Sequence, residues 1–209
     1  MFMWIMVCFL GVILSLAGER MSNTVLGASG KFIAATAYIA AAWSMGATAT
    51  DYGRILLLGM LFCWIGDLLL VSKNKPNLFL LGLASFLLGH VAYIAAFLVR
   101  GVSVAAVMGA GLLMLLFAFV VLRWLKPHLE VRMRRPVHFY VVAISTMMTV
   151  AIGSFASDAN WLIPLGAFLF LISDLAVARD RFIAPGFINR AWGLPLYFCA
   201  QLVLAASVV

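Results

Sequence analysis

At 209 residues, 66% hydrophobic and only 10% charged, with a mean hydropathy of +1.15, the chain is far more apolar than a soluble domain. A soluble domain is about half apolar and about a quarter charged, so this composition excludes that class and points to lipid. The formal net charge of +7 would suggest nucleic acid in a soluble protein. Here the basic residues lie between apolar runs, so topology and anionic headgroups account for them and no nucleic acid is expected.

The first stretch, MFMWIMVCFLGVILSLAGER, resembles a signal peptide in its apolar core. It has no basic residue ahead of that core, and its first charge is Glu19. It is therefore taken as a spanning helix. A span needs about 20 predominantly apolar residues. Eight runs qualify: Phe2–Ala17, Phe32–Ala49, Ile55–Val71, Leu78–Val99, Val102–Leu122, Val137–Phe155, Trp161–Ala178 and Ala191–Val208. No alternation of a barrel strand appears. The expectation is one all-α integral membrane domain over residues 1–209, a bundle of about eight transmembrane helices. Cys8, Cys63 and Cys199 all lie within apolar runs and read as packing residues.

Loop charge sets the orientation. Arg20 and Lys31 follow the first run, Lys73 and Lys75 the third. Arg123, Lys126, Arg132, Arg134 and Arg135 follow the fifth, and Arg179, Arg181 and Arg190 the seventh. All but Arg54 and Arg100 of the 14 Lys and Arg thus fall on one side. By the positive-inside rule that side is cytoplasmic and both termini lie outside, in what we expect is a bacterial inner membrane.

Ionisable groups within spans are expensive and usually face a protein interior or a watery cavity. Asp67 and Asp174 are such groups. In the predicted topology both helices run inward, and both carboxylates lie roughly 7–9 Å from the cytoplasmic boundary. The strings Ile65-Gly66-Asp67-Leu68 and Ile172-Ser173-Asp174-Leu175 match. Four helices separate them, which allows a parallel 4+4 repeat. The plain alternative is a helix-end carboxylate paired with Lys or Arg. His90 and Tyr93, at i and i+3, share one face of the fourth helix. They are either working groups or a structural pair. Tyr197 and Gln201, at i and i+4, hold the corresponding place in the eighth. Lys31 is placed at the cytoplasmic mouth of the second helix, suited to a phosphate or an acid. Pro164 and Pro195 are expected to kink their helices. The run Lys126–His138 is expected to be the longest basic loop. His128 and His138 lie in or beside it, so no metal site and no cofactor is expected, and HExxH, GxSxG and P-loop patterns are absent.

This pattern resembles the YhhN family of membrane proteins, which includes the mammalian lysoplasmalogenases. The resemblance rests on Lys31, Gly66-Asp67, Gly82, Phe86, Gly89-His90, Tyr93, Ser173-Asp174, Tyr197 and Gln201, with Tyr140 and Met147 in the sixth helix. One departure is Phe32, where the family often has proline. The resemblance implies hydrolysis of the vinyl ether of lysoplasmalogen to a fatty aldehyde and a glycerophospho-alcohol. On that reading Asp67, Asp174 and His90 are catalytic. Lys31, Tyr93, Tyr140, Ser173, Tyr197 and Gln201 line a lysophospholipid site. Asp67, among mostly apolar neighbours on its own helix, is the expected acid and Asp174 the expected ionised partner. The residues leave two other classes open: a small-solute or proton-coupled transporter using the same acids, and a membrane protein without chemistry. The headgroup and the oligomeric state are not legible.

Overall fold

The computed structural model describes residues 2–71 and 76–209, residue 76 by its backbone alone. Eight helices follow one another: α1 (Phe2–Arg20), α2 (Thr24–Ser44), α3 (Asp51–Leu69), α4 (Pro76–Val99), α5 (Val104–Leu125), α6 (Val131–Asp158), α7 (Leu162–Ala178) and α8 (Phe187–Ala206). A 3-10 turn, Lys126–His128, precedes α6, and a π-helical turn, Arg179–Ile183, continues α7. Among the described residues there is no strand. Seven helices, α1 to α7, are long and apolar enough to cross a membrane. The eighth is diluted by Asn189, Arg190, Tyr197 and Gln201. The chain is an all-α integral membrane bundle. The expected basic loop at Lys73 and Lys75 lies outside the described residues.

Four helix starts lie four or more residues ahead of the hydropathy reading, α3 and α8 by four residues, α6 by six and α2 by eight. α2 begins at Thr24, eight residues before Phe32, because Asn23 caps it by accepting from the Leu26 N–H at 3.0 Å. Lys31 therefore lies in the third turn of α2 and not at its mouth. α6 begins at Val131, so Arg132, Arg134 and Arg135 lie on helix and the long basic loop shrinks to a few residues. Basic residues lower a hydropathy window, yet their long stems are good helix formers. Pro164 falls in the first turn of α7, where proline is tolerated without a kink. Pro195 is interior to α8.

The helices pair as hairpins. α1 and α2 approach so closely that a Cβ on Gly18 would lie 2.2 Å from the Gly27 nitrogen, and one on Gly30 2.3 Å from the Ser15 nitrogen. Without an aqueous hydrophobic effect between helices, close van der Waals packing of small residues holds such pairs. α3 and α4 use the same device. Gly89 faces Cys63, and the Ser85 hydroxyl donates to the Phe62 carbonyl at 2.6 Å. The seams between hairpins are shorter. α2 meets α3 over a brief stretch, as α6 meets α7, and α8 returns to α2 as α4 meets α6. α5 packs chiefly on α6 and leaves Leu112, Leu113, Leu115 and Leu116 outward.

The two ends of the bundle differ. At the end where α3 and α7 begin, Arg100 pairs with Asp158 and donates to the Ser207 carbonyl. Its guanidinium lies 4.7 Å from the Tyr52 ring centroid, and the Tyr52 and Ser207 hydroxyls meet at 2.5 Å. Asn160 donates to the same Ser207 carbonyl at 3.1 Å. These groups clamp α3, α4, α6 and α8 together. At the basic end, Arg190 bridges Glu19 of α1 and Asp180 of the π-helical turn, and Arg179 donates to the buried Asn189.

Candidate functional site

Between these ends lies a buried polar network. Asp67, in the last turn of α3, is 2% exposed. Its Oδ1 lies 3.0 Å from Lys31 Nζ, and its Oδ2 accepts from the Tyr197 hydroxyl at 2.7 Å. Lys31 thus meets an acid of the protein itself. Its placement inside α2 points it across the α2–α3 seam.

The donors behind Asp67 run in one direction. The Tyr93 hydroxyl donates to Gln201 Oε1 at 2.6 Å. Gln201 Nε2 donates to the Tyr197 hydroxyl at 3.2 Å, and Tyr197 donates to the carboxylate. Each bond polarises the next towards the anion. Tyr38, fully buried on α2, completes the group. Its hydroxyl donates to the Met60 carbonyl at 3.2 Å and lies 3.4 Å from that of Tyr197. Tyr38 was not singled out in the sequence. It stands seven residues after Lys31, about two turns along the same face, and that spacing was the available signal.

His90 and Tyr93 share a helix face yet serve different partners. Tyr93 turns to α8, whereas His90 turns to α7. His90 Nδ1 lies 2.7 Å from the Phe86 carbonyl, which only accepts, so Nδ1 carries the proton. Nε2 is then an acceptor, and it faces Asp174 Oδ2 at 3.6 Å. Both atoms are buried without a hydrogen-bond partner. The Tyr140 hydroxyl turns to the same carboxyl, and its ring stands edge-on to His90 with centroids 5.0 Å apart.

Phe170 joins the two acidic centres. Its ring lies 4.7 Å from that of His90 and 5.3 Å from that of Tyr197, centroid to centroid. Phe86 packs against Tyr197 from the other side at 5.8 Å. A Cβ on Gly66 would lie 2.6 Å from the Phe86 ring, so this glycine makes room for an aromatic neighbour. Ser173 behaves differently from its sequence expectation. Its hydroxyl donates to the Phe170 carbonyl of its own helix at 2.7 Å, and its backbone faces Gly193 of α8. The network therefore brings together Lys31, Asp67, Tyr93, Tyr197 and Gln201. His90, Asp174 and Tyr140 form the second centre, and Ser173 stands aside from both.

The YhhN family model matches residues 26–208, a stretch that takes in every residue of both centres. The chain is 31% identical over 160 residues to lysoplasmalogenase TMEM86A of Bos taurus, covering 74% of this chain and 65% of that protein. The human TMEM86A protein is 29% identical over the same length. A lysoplasmalogenase of Mycobacterium tuberculosis is 30% identical over 170 residues, which is 60% of its length. The matches thus span less than two thirds of these relatives. No solved structure matches the chain. With the family model covering nearly all of the bundle and both acidic centres inside it, the chain belongs to the YhhN family.

Proposed function

We propose that this protein is a membrane hydrolase that cleaves the vinyl-ether bond of a lysoplasmalogen, releasing a fatty aldehyde and a glycerophospho-alcohol. The observation that carries the reading is the pairing of two unlike acidic centres around Phe170. Asp67 accepts from an ammonium and a phenol, an arrangement suited to a carboxylate. Asp174 Oδ2 faces an acceptor nitrogen at 3.6 Å, an arrangement relieved by one proton held between them. This favours Asp174 as the acid and Asp67 as the ionised partner, the reverse of the order expected from sequence neighbours alone.

Vinyl-ether hydrolysis uses one group of each kind. The proton passes to the β-carbon of the C=C–O unit, leaving an oxocarbenium ion at the carbon bonded to oxygen. A carboxylate stabilises that cation and takes a proton from the attacking water. The hemiacetal then breaks its C–O bond to give aldehyde and alcohol. In this scheme Asp174 donates, His90 orients and shares the proton, and Asp67 is the anion. Tyr93, Gln201 and Tyr197 hold Asp67 in place, and Tyr140 and Lys31 border the substrate. The basic end faces the cytoplasm of a bacterial cell, in keeping with its Arg and Lys content. The clamp at the opposite end favours access from one side and so favours an enzyme over an alternating-access transporter.

The test is purified protein in detergent with an alkenyl lysolipid in D₂O. Aldehyde release without any gradient, with one deuterium at C2 of the aldehyde, is the expected result. No aldehyde sinks the hydrolase reading. Aldehyde without C2 deuterium, after controls for its own exchange, sinks the protonation step.

A further inference from the structure

Asp67 is 2% exposed and Lys31 is 18% exposed. A lipid must therefore reach this centre from the side on which Lys31 stands. Lys31 and Asp67 bridge α2 and α3, and these helices meet along one of the short seams of the bundle. Successive helical residues turn by about 100°, so the residues next to the pair, Phe32 and Leu68, point to the outer flank of the same seam. There the surface carries a groove of about 570 Å³ lined by Ala28, Ser29, Phe32, Ile33, Leu68 and Val71. Trp64, one turn from Leu68 on the side away from the basic end, packs on Phe32 of this lining. Its ring lies 5.8 Å from that of Phe32, and its Nε1 donates to Thr36 Oγ1 at 3.2 Å.

We propose that this groove is the lateral entry and chain-binding site for a single-chain lysophospholipid, which lies along α2 and α3 with its polar end at Lys31. The assignment rests on the hydrolase reading for its choice of lipid, and on geometry for its place. The walls are apolar where a hydrocarbon chain would lie. Ala28, Ser29 and Val71 form the end nearer the basic face, and Lys31 follows Ser29 by two residues on α2; an anionic phosphate would lie there. Leu68 of the lining follows Asp67 directly on α3, so the groove lies beside the Lys31–Asp67 contact.

The experiment uses a lysophospholipid with a diazirine on its chain, photolysed on the purified full-length protein and mapped by mass spectrometry. Adducts concentrated on Phe32, Ile33 and Leu68, displaced by unlabelled lysophospholipid and not by diacyl phospholipid, are expected. Adducts spread over the outer face of α5, or displaced equally by diacyl lipid, overturn the proposal. Ala28→Phe, which fills the groove without touching either acid, is expected to abolish these adducts and raise KM about tenfold or more with kcat within about twofold. An unchanged KM in folded Ala28→Phe also overturns it. Adducts in the groove without aldehyde release remove the hydrolase reading and leave the lipid site. Aldehyde release with adducts elsewhere does the reverse.

Discussion

Removing one member of a buried ion pair leaves the other without its counter-charge, and the cost is large. Lys31→Met is expected to destabilise the protein by about 3–5 kcal/mol, because Asp67 stays buried and unpaired. Adding Asp67→Asn to that variant should recover much of the loss, since a neutral amide still accepts from Tyr197. Thermal unfolding in detergent measures both, and a Lys31→Met protein as stable as the parent would show that the pair contributes nothing. Activity should respond differently. Asp67→Asn and Asp174→Asn are each expected to lower turnover at least about 100-fold, the ordinary worth of a general acid or base. Near-normal turnover in both, at parental expression, would remove them from the mechanism. The acids themselves were legible, because an Asp in an apolar run is rare. Lys31 and Tyr197 were named as well, but not as the partners of Asp67. Lys31 lies 36 residues before Asp67 and Tyr197 lies 130 residues after it, and no local pattern encodes such contacts. Hence the sequence neighbours of Asp67 suggested an apolar setting, whereas the fold supplies an ammonium and a phenol.

Among the elements, the α1–α2 hairpin depends most on backbone proximity. Gly30→Ala places a methyl where the Ser15 backbone already stands and is expected to cost about 1–3 kcal/mol, with α1 displaced. On α5, Gly109 has nothing within 4 Å of its would-be Cβ. Gly109→Ala is expected to be neutral or stabilising by up to about 1 kcal/mol. Equal thermal shifts for the two variants would show that glycine packing does not hold this hairpin. Helix existence followed from apolar run length at all eight places. Helix starts were less legible, for a physical reason. Hydropathy sees Lys31, Arg132, Arg134 and Arg135 as departures from lipid, while the backbone sees residues that extend a helix already capped at Asn23 or begun at Val131. The π-helical turn after α7 had no sequence signal.

For the molecule as a whole, charge is distributed between two unlike ends. The basic end carries Arg190 bridging α1 and the π-helical turn, and the opposite end carries the Arg100 clamp. Topology follows if the positive-inside rule governs insertion. Alkaline phosphatase fused after Val209 should be active in a bacterial host and a cytoplasmic reporter at the same place inactive; the opposite pattern would invert the bundle. Along α4 the buried polar network and the Arg100 clamp are held apart. Tyr93 stacks on Phe97, and Leu56, Phe97 and Leu204, all fully buried, fill the space before Tyr52, Arg100 and Ser207. Seven residues separate Tyr93 from Arg100, about 10 Å of helix, and the six between them on α4 all carry apolar side chains. Along α4 the bundle thus carries its own insulating layer: the buried polar groups around Asp67 are set off from the clamped end by side chains as apolar as the surrounding lipid.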